Sequence, residues 1–246
     1  VRRTALVGLL LLALVAGCTA QPTPPPVETP VGEGTPTAVL SPSTTPSPPP
    51  TTPALPPGLT QADVDAGLLS RDVPQSGSGN LVPVPGSTPA PGPGPVRTVR
   101  VEVEEGVPVD GERFATFVLG VLNDPRSWGA GGAMSFARTD SADVDIHLVL
   151  ATPDTSRRLC RPLETYGKLS CRTGDRAVLT HYRWVNATEE YAADPTAYRR
   201  YVVNHEVGHA LGHGHQRCPG PGRPAPVMQQ QTLGLDGCAP NSWPYP

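Results

Sequence analysis

No aromatic residue occurs before Phe114, and lysine is confined to Lys168, the other eighteen of nineteen basic residues being arginine. The arginine bias reflects base composition and carries no chemistry. The missing aromatics carry more. Over residues 19 to about 72 Pro, Thr, Ser and Gly dominate, as in Pro22-Thr23-Pro24-Pro25-Pro26 and Thr44-Thr45-Pro46-Ser47-Pro48-Pro49-Pro50. Such a stretch cannot bury enough apolar surface to offset its ordering entropy, which excludes a packed domain there. It reads as an extended tether. The net formal charge is -3. With no basic stripe, nucleic-acid binding has no support. No C-x-x-C pair exists among the five cysteines, which speaks against a cysteine-built zinc site. Long apolar runs are missing too. Ala5 to Ala16 is the one compact apolar stretch, shorter than the ~20 residues a membrane-spanning helix needs.

That stretch follows Val1-Arg2-Arg3 and ends in Leu14-Val15-Ala16-Gly17-Cys18. It reads as an export signal. The last five residues resemble the lipobox of bacterial lipoproteins. The resemblance implies cleavage before Cys18, a lipid on Cys18, and a mature protein held at the outer face of the membrane by that anchor. The alternative is a plain secretory signal with an incidental cysteine. The organisation expected is a signal over 1–17, lipidated Cys18 with its tether over 18–72, and one domain over 73–246. Residues 60–72 have room for one short helix.

What is present is concentrated late in the chain. His205-Glu206-Val207-Gly208-His209-Ala210-Leu211-Gly212-His213-Gly214-His215 contains four of the six histidines. It fits H-E-x-x-H-x-x-G-x-x-H. Residues four apart share a helix face, so His205 and His209 can aim at one point. Gly212 can take positive φ cheaply and end the helix, so that His215 returns as a third ligand. Three imidazoles leave a fourth tetrahedral position for water, the arrangement of a catalytic zinc. Glu206, beside the first ligand, is then the general base. An unbroken helix would instead present His213 with His205 and His209, and the flanking glycines argue against it.

The segment resembles the zinc helix of the metzincin peptidases. That resemblance implies a methionine in a turn beneath the metal, and Met228, in Pro226-Val227-Met228-Gln229, suits it. It also implies an α+β zincin-like domain: a twisted sheet over two main helices, with a substrate cleft between an edge strand and the zinc helix. Two positions depart from the pattern. Gln216 follows the third histidine, and Gln230 stands two past the methionine, where some members have tyrosine. Neither a subfamily nor a transition-state residue follows. From about Val73 onward the chain also resembles a family of secreted actinobacterial proteins with a domain of unknown function. Tyr198-Arg199-Arg200-Tyr201-Val202-Val203-Asn204-His205-Glu206 and Pro226-Val227-Met228-Gln229-Gln230-Gln231 carry that likeness.

The residues after 72 suffice for one domain with its own core. Val99, Val101 and Val103 alternate with Arg100, Glu102 and Glu104, predicting a strand. Asp110 caps a helix carrying Phe114, Phe117, Val118, Val121 and Leu122. Val144, Ile146, Leu148 and Leu150 predict a second strand. Arg176 to Trp184 predicts a third, with Val178, Thr180, Tyr182 and Trp184 on one face. Asp194-Pro195 starts a helix that runs into the motif. His147 and His181, on the second and third strands, are solvated or hydrogen-bonded rather than functional on general grounds.

With Cys18 set aside, Cys160, Cys171, Cys218 and Cys238 form an even set in an exported chain. Of three connectivities, Cys160–Cys171 and Cys218–Cys238 are expected, because each closes a short loop; metal binding by these thiols is the rival. The function expected is a monomeric extracellular zinc endopeptidase acting on peptide or protein substrates. A non-catalytic zinc-containing binding domain and a zinc amidase acting on peptidoglycan are the alternatives.

Overall fold

The computed structural model describes residues 54–246. The expected signal, Cys18 and the tether up to residue 53 lie outside the described residues. The described part is a mixed α/β unit whose six strands form one open sheet. These are β1 (Leu81–Pro83), β2 (Val96–Glu104), β3 (Ser135–Arg138), β4 (Ile146–Ala151), β5 (Cys171–Thr173) and β6 (Arg176–Thr180). The order is β1-β2-β4-β6-β5, and β3 pairs with β2. The centre is parallel: β4 runs with β2 and with β6. The two ends, β1 and β5, are antiparallel to their neighbours.

Five α-helices are described: α1 (Gln61–Asp65), α2 (Gly111–Leu122), α3 (Pro153–Leu159), α4 (His181–Asn186) and α5 (Pro195–Ala210). The side-chain oxygens of Asp110 and Asp194 cap α2 and α5, accepting from the backbone N–H groups of Arg113 and Ala197. Both caps stand where the sequence predicts them. Val99, Val101, Ile146, Leu148, Leu150, Ala177 and Leu179 project from one sheet face into the main core, with Phe114 and Val118 of α2 and Tyr198, Tyr201 and Val202 of α5.

The other sheet face is covered as well. The alternation in β2 predicts a strand but leaves its polar residues solvated, whereas Glu102 and Glu104 are buried. The Glu104 carboxylate accepts from Gly79 N and from the N–H and hydroxyl of Thr152, and from the Thr155 hydroxyl, each at 2.8 Å. Burial alone would raise its pKa, but these donors outweigh burial and hold it below the ordinary carboxylate value. Cys160, Cys171 and Val178 form a satellite cluster beneath α3.

Two sequence expectations are corrected. The expected third strand ends at Thr180, and His181–Asn186 is helix α4. Its alternating aromatics mimic a strand, yet tertiary packing overrides the pattern. Trp184 is buried, meets Phe114 and Phe117 edge-on at 5.0 and 5.6 Å, and donates to Ala66 O at 3.1 Å. Residues 60–72 are also not tether. α1 carries a capping box between Thr60 and Asp63, and Leu59, Val64, Ala66 and Leu68 enter the core. Folded structure therefore begins before residue 73. The reason is electrostatic as well as apolar: Asp63 pairs with the fully buried Arg199 of α5 at 2.7 Å.

Candidate metal centre

Helix α5 passes through the core from Tyr198 to Gly208 and surfaces at His209. Gly212, at φ 94°, turns the chain out of the helix. The N–H of Gly212 donates to His209 O and that of His213 to Gly208 O, which closes the last turn. His213 therefore leaves the helix face, and His215 comes back over it. The ligand-capable nitrogens of His205, His209 and His215 all lie within 4.8 Å of one another. Nε2 of His209 is 3.2 Å from Nε2 of His205 and 3.0 Å from Nε2 of His215.

The tautomers of two of these rings are set by their other nitrogens. His205 Nδ1 lies 2.9 Å from Val227 O, and His209 Nδ1 lies 2.8 Å from His213 O. A carbonyl only accepts, so each Nδ1 carries the proton and each Nε2 presents a lone pair. Burial pushes the pKa of His205 down to about 3 and also lowers those of His209 and His215. Neutral imidazoles thus turn lone pairs toward one point at distances where they repel. A cation at that point removes the repulsion. The two spacings from His209 lie close to the edge of a tetrahedron with ligands ~2.0–2.1 Å from its centre, and imidazole suits zinc among the common metals. The donor set fits the group that the motif implies. The backbone carbonyls behind His205 and His209 are the orienting partners such ligands use.

Glu206 is buried, and its Oε2 has no hydrogen-bond partner. Burial pushes its pKa up to about 8. It opens onto a cleft of about 580 Å³ that also includes His205, His209, His215, Leu163 and Arg172. One wall is the loop between Cys160 and Cys171, which are disulfide-bonded; Cys218 and Cys238 form the second bridge. Both pairings agree with the short-loop expectation. β5, at the sheet edge, lies alongside.

Met228 is 2% exposed and packs against the backbone of α5 at Gly208. Its carbonyl accepts from Gln216 N at 3.0 Å, tying the segment after His215 to the turn. Tyr201 fixes the same turn. Its hydroxyl donates to Gln229 O and accepts from Gln231 N. Gln230 lines the cleft beside His215.

Sequence reasoning missed Trp128 and Asn204. Trp128 stacks on His213 with ring centroids 4.2 Å apart and donates to Asn204 O at 3.0 Å. Asn204 is buried, accepts from Ser127 Oγ and donates to Ser242 O. An amide inside the apolar stretch before the motif was the available signal for Asn204; Trp128 has none. Of the two outlying histidines, His147 lies 3.2 Å from Glu102 and away from the cleft lining. His181 is fully buried in α4, and burial pushes its pKa down to about 4.

Comparison with known proteins finds one family model, over residues 69–246, described as a protein of unknown function (DUF3152). No curated protein and no solved structure matches. That family model spans most of the chain, including the sheet, α5 and all three converging histidines, and the chain belongs to the DUF3152 family.

Proposed function

We propose that this protein is an extracellular zinc-dependent peptidase of metzincin type. The observation that carries the reading is the convergence of three Nε2 atoms beside a buried carboxylate with an unpartnered oxygen. A structural zinc site has no need of that carboxylate, which favours catalysis over a binding domain. A zinc ion held by His205, His209 and His215 would supply a water of pKa near ~7 and Lewis-acid polarisation of the scissile carbonyl.

The remaining work falls to the chain. β5 offers a free strand edge to an extended peptide backbone. Glu206 takes a proton from the attacking water as the water oxygen bonds to the carbonyl carbon. It returns that proton to the amine nitrogen as the C–N bond breaks. A group that takes and gives back a proton works best with a pKa near the working pH; burial raises that of Glu206, and a cation held by the adjacent histidines would oppose the rise and favour the carboxylate. Met228 and Tyr201 keep the turn below α5 in place.

The two disulfides fit an oxidising, extracellular compartment. The anchor belongs to the same proposal: a lipid on Cys18 and an extended tether would hold the domain outside the membrane. Elemental analysis of the purified protein, with peptide hydrolysis before and after chelation, tests the reading. One zinc per chain and hydrolysis that is lost on chelation and restored by zinc are expected. A protein without zinc after zinc-replete refolding contradicts it.

A further inference from the structure

The cleft contains a cation that the fold does not use. Arg172 is exposed on β5 and lines the same cavity as Glu206 and His209. Neighbouring arginines are occupied. Arg157 pairs with Glu164 at 3.5 Å, and Arg183 donates to Lys168 O and Ala187 O. The Arg172 guanidinium has no ion pair and no hydrogen bond among the described residues.

Its position is fixed although its tip is free. Adjacent side chains of a strand point to opposite faces. Cys171 points into the satellite cluster with Val178 and is bridged to Cys160. Arg172 therefore takes the other face, the one that carries α5. Its register partner Ala177 lies in the main core on that face. The other ionisable cleft residues do not compensate it: Glu164 faces Arg157, and Glu206 is buried below.

We propose that Arg172 is a specificity residue that binds a carboxylate of the peptide substrate close to the scissile bond. This rests on the peptidase reading above. A guanidinium accommodates a carboxylate through two parallel N–H···O bonds, and Leu163 and Leu169, from the loop that leads into β5, add apolar lining to the same cleft. The carboxylate comes either from an acidic side chain or from a free chain terminus.

The test uses the full chain loaded with zinc, in a Glu206→Gln background so that peptides are not consumed. The probes are fluorescent, end-capped alanine peptides with one Glu at each position in turn and their Gln counterparts. A further pair ends in a free carboxylate or an amide. At one position the Glu peptide is expected to bind roughly fivefold tighter than its Gln counterpart, the size of an exposed ion pair. Arg172→Gln removes the preference without shifting the melting temperature, Arg172→Lys restores part of it, and Arg172→Glu transfers it to a Lys peptide. A preference confined to the free-terminus pair identifies the α-carboxylate as the source. Equal binding of every acidic and neutral pair overturns the role of Arg172, as does a preference that survives Arg172→Gln. Binding of no peptide at all removes the peptide-cleft reading and this inference with it. Peptides bound with the stated preference, yet not cut by the parent protein, contradict catalysis and leave Arg172 in place.

Discussion

Met228 and Gly208 are in direct contact, and the contact exists because residue 208 has no side chain. A Cβ at Gly208 would lie 2.5 Å from Met228 Sδ and 2.6 Å from Trp128 Cζ2. The second variable position of the H-E-x-x-H pattern is therefore where the methionine turn and the indole reach the zinc helix. Gly208→Ala should destabilise by about 1–3 kcal/mol through overpacking, and Met228→Ala by about 2–4 kcal/mol through the cavity left behind. Combined, they should cost less than their sum, because Met228→Ala makes room for the new methyl group. Denaturant unfolding of the four proteins measures this; strict additivity would mean that the two residues do not touch.

The Asp63–Arg199 pair ties α1 to α5. Arg199 is fully buried, with Nε donating to Trp184 O and the second guanidinium nitrogen bonded to Asp63. Removing Asp63 leaves a buried charge without its partner, a loss of about 3–5 kcal/mol. A chain beginning at residue 73 should accordingly fold poorly, while one beginning at residue 54 should unfold cooperatively. Equal stability of the two by calorimetry would show that α1 is dispensable.

Acid should destabilise the domain through two buried carboxylates. Burial works to raise the pKa values of Asp63 and Glu104, but their hydrogen bonds, and for Asp63 the Arg199 charge, leave both below the ordinary values of 3.8 and 4.5. A depressed folded-state pKa contributes stability that is present above the unfolded value and is lost as pH falls through the folded one. Stability should therefore decline as pH drops below these ordinary values. Glu104→Gln should be less stable at pH 7 and show a shallower decline in acid. An unchanged acid slope in that variant would remove Glu104 from the explanation.

Much of this arrangement was legible in the sequence. Asp194-Pro195 marks the start of α5 and Gly212 marks its end, because caps and positive φ are local demands. The disulfides followed from short loops. What was not legible depends on contacts between distant segments. Trp184 sits on a helix because Phe114, Phe117 and Ala66 receive it there, although its local pattern suits a strand. Glu104 looks like part of a solvated face until α3 and the segment near Gly79 cover it, and Glu102 until Arg100 and His147 meet it. The sequence leaves room for the short helix α1 but not for its place in the domain, because Asp63 finds Arg199 only in the folded chain. Trp128 reaches α5 through Asn204 and Gly208, and nothing in its own neighbourhood announces it.

The choice between His213 and His215 gives a ranked expectation for metal binding. His213 contributes its carbonyl to His209 Nδ1 and its ring to Trp128, while His215 contributes Nε2 to the cluster. His215→Ala should weaken zinc binding strongly, and His213→Ala should leave stoichiometry near one because the backbone carbonyl remains. Competition with a chromophoric chelator gives both affinities. The reverse ranking would make His213 the third ligand.

The most direct measurement compares the parent protein with Glu206→Gln on one peptide library, with zinc content determined in both. Loss of a general base typically lowers rates by ~10²–10⁴-fold. Glutamine keeps the size and a hydrogen-bonding end of the side chain and removes the basic oxygen. The account predicts that the parent cleaves, and that the variant binds equal zinc, folds normally and hydrolyses almost nothing. Equal cleavage by the two proteins would contradict Glu206 as the base, and a zinc-loaded parent that cleaves no peptide would contradict the peptidase itself.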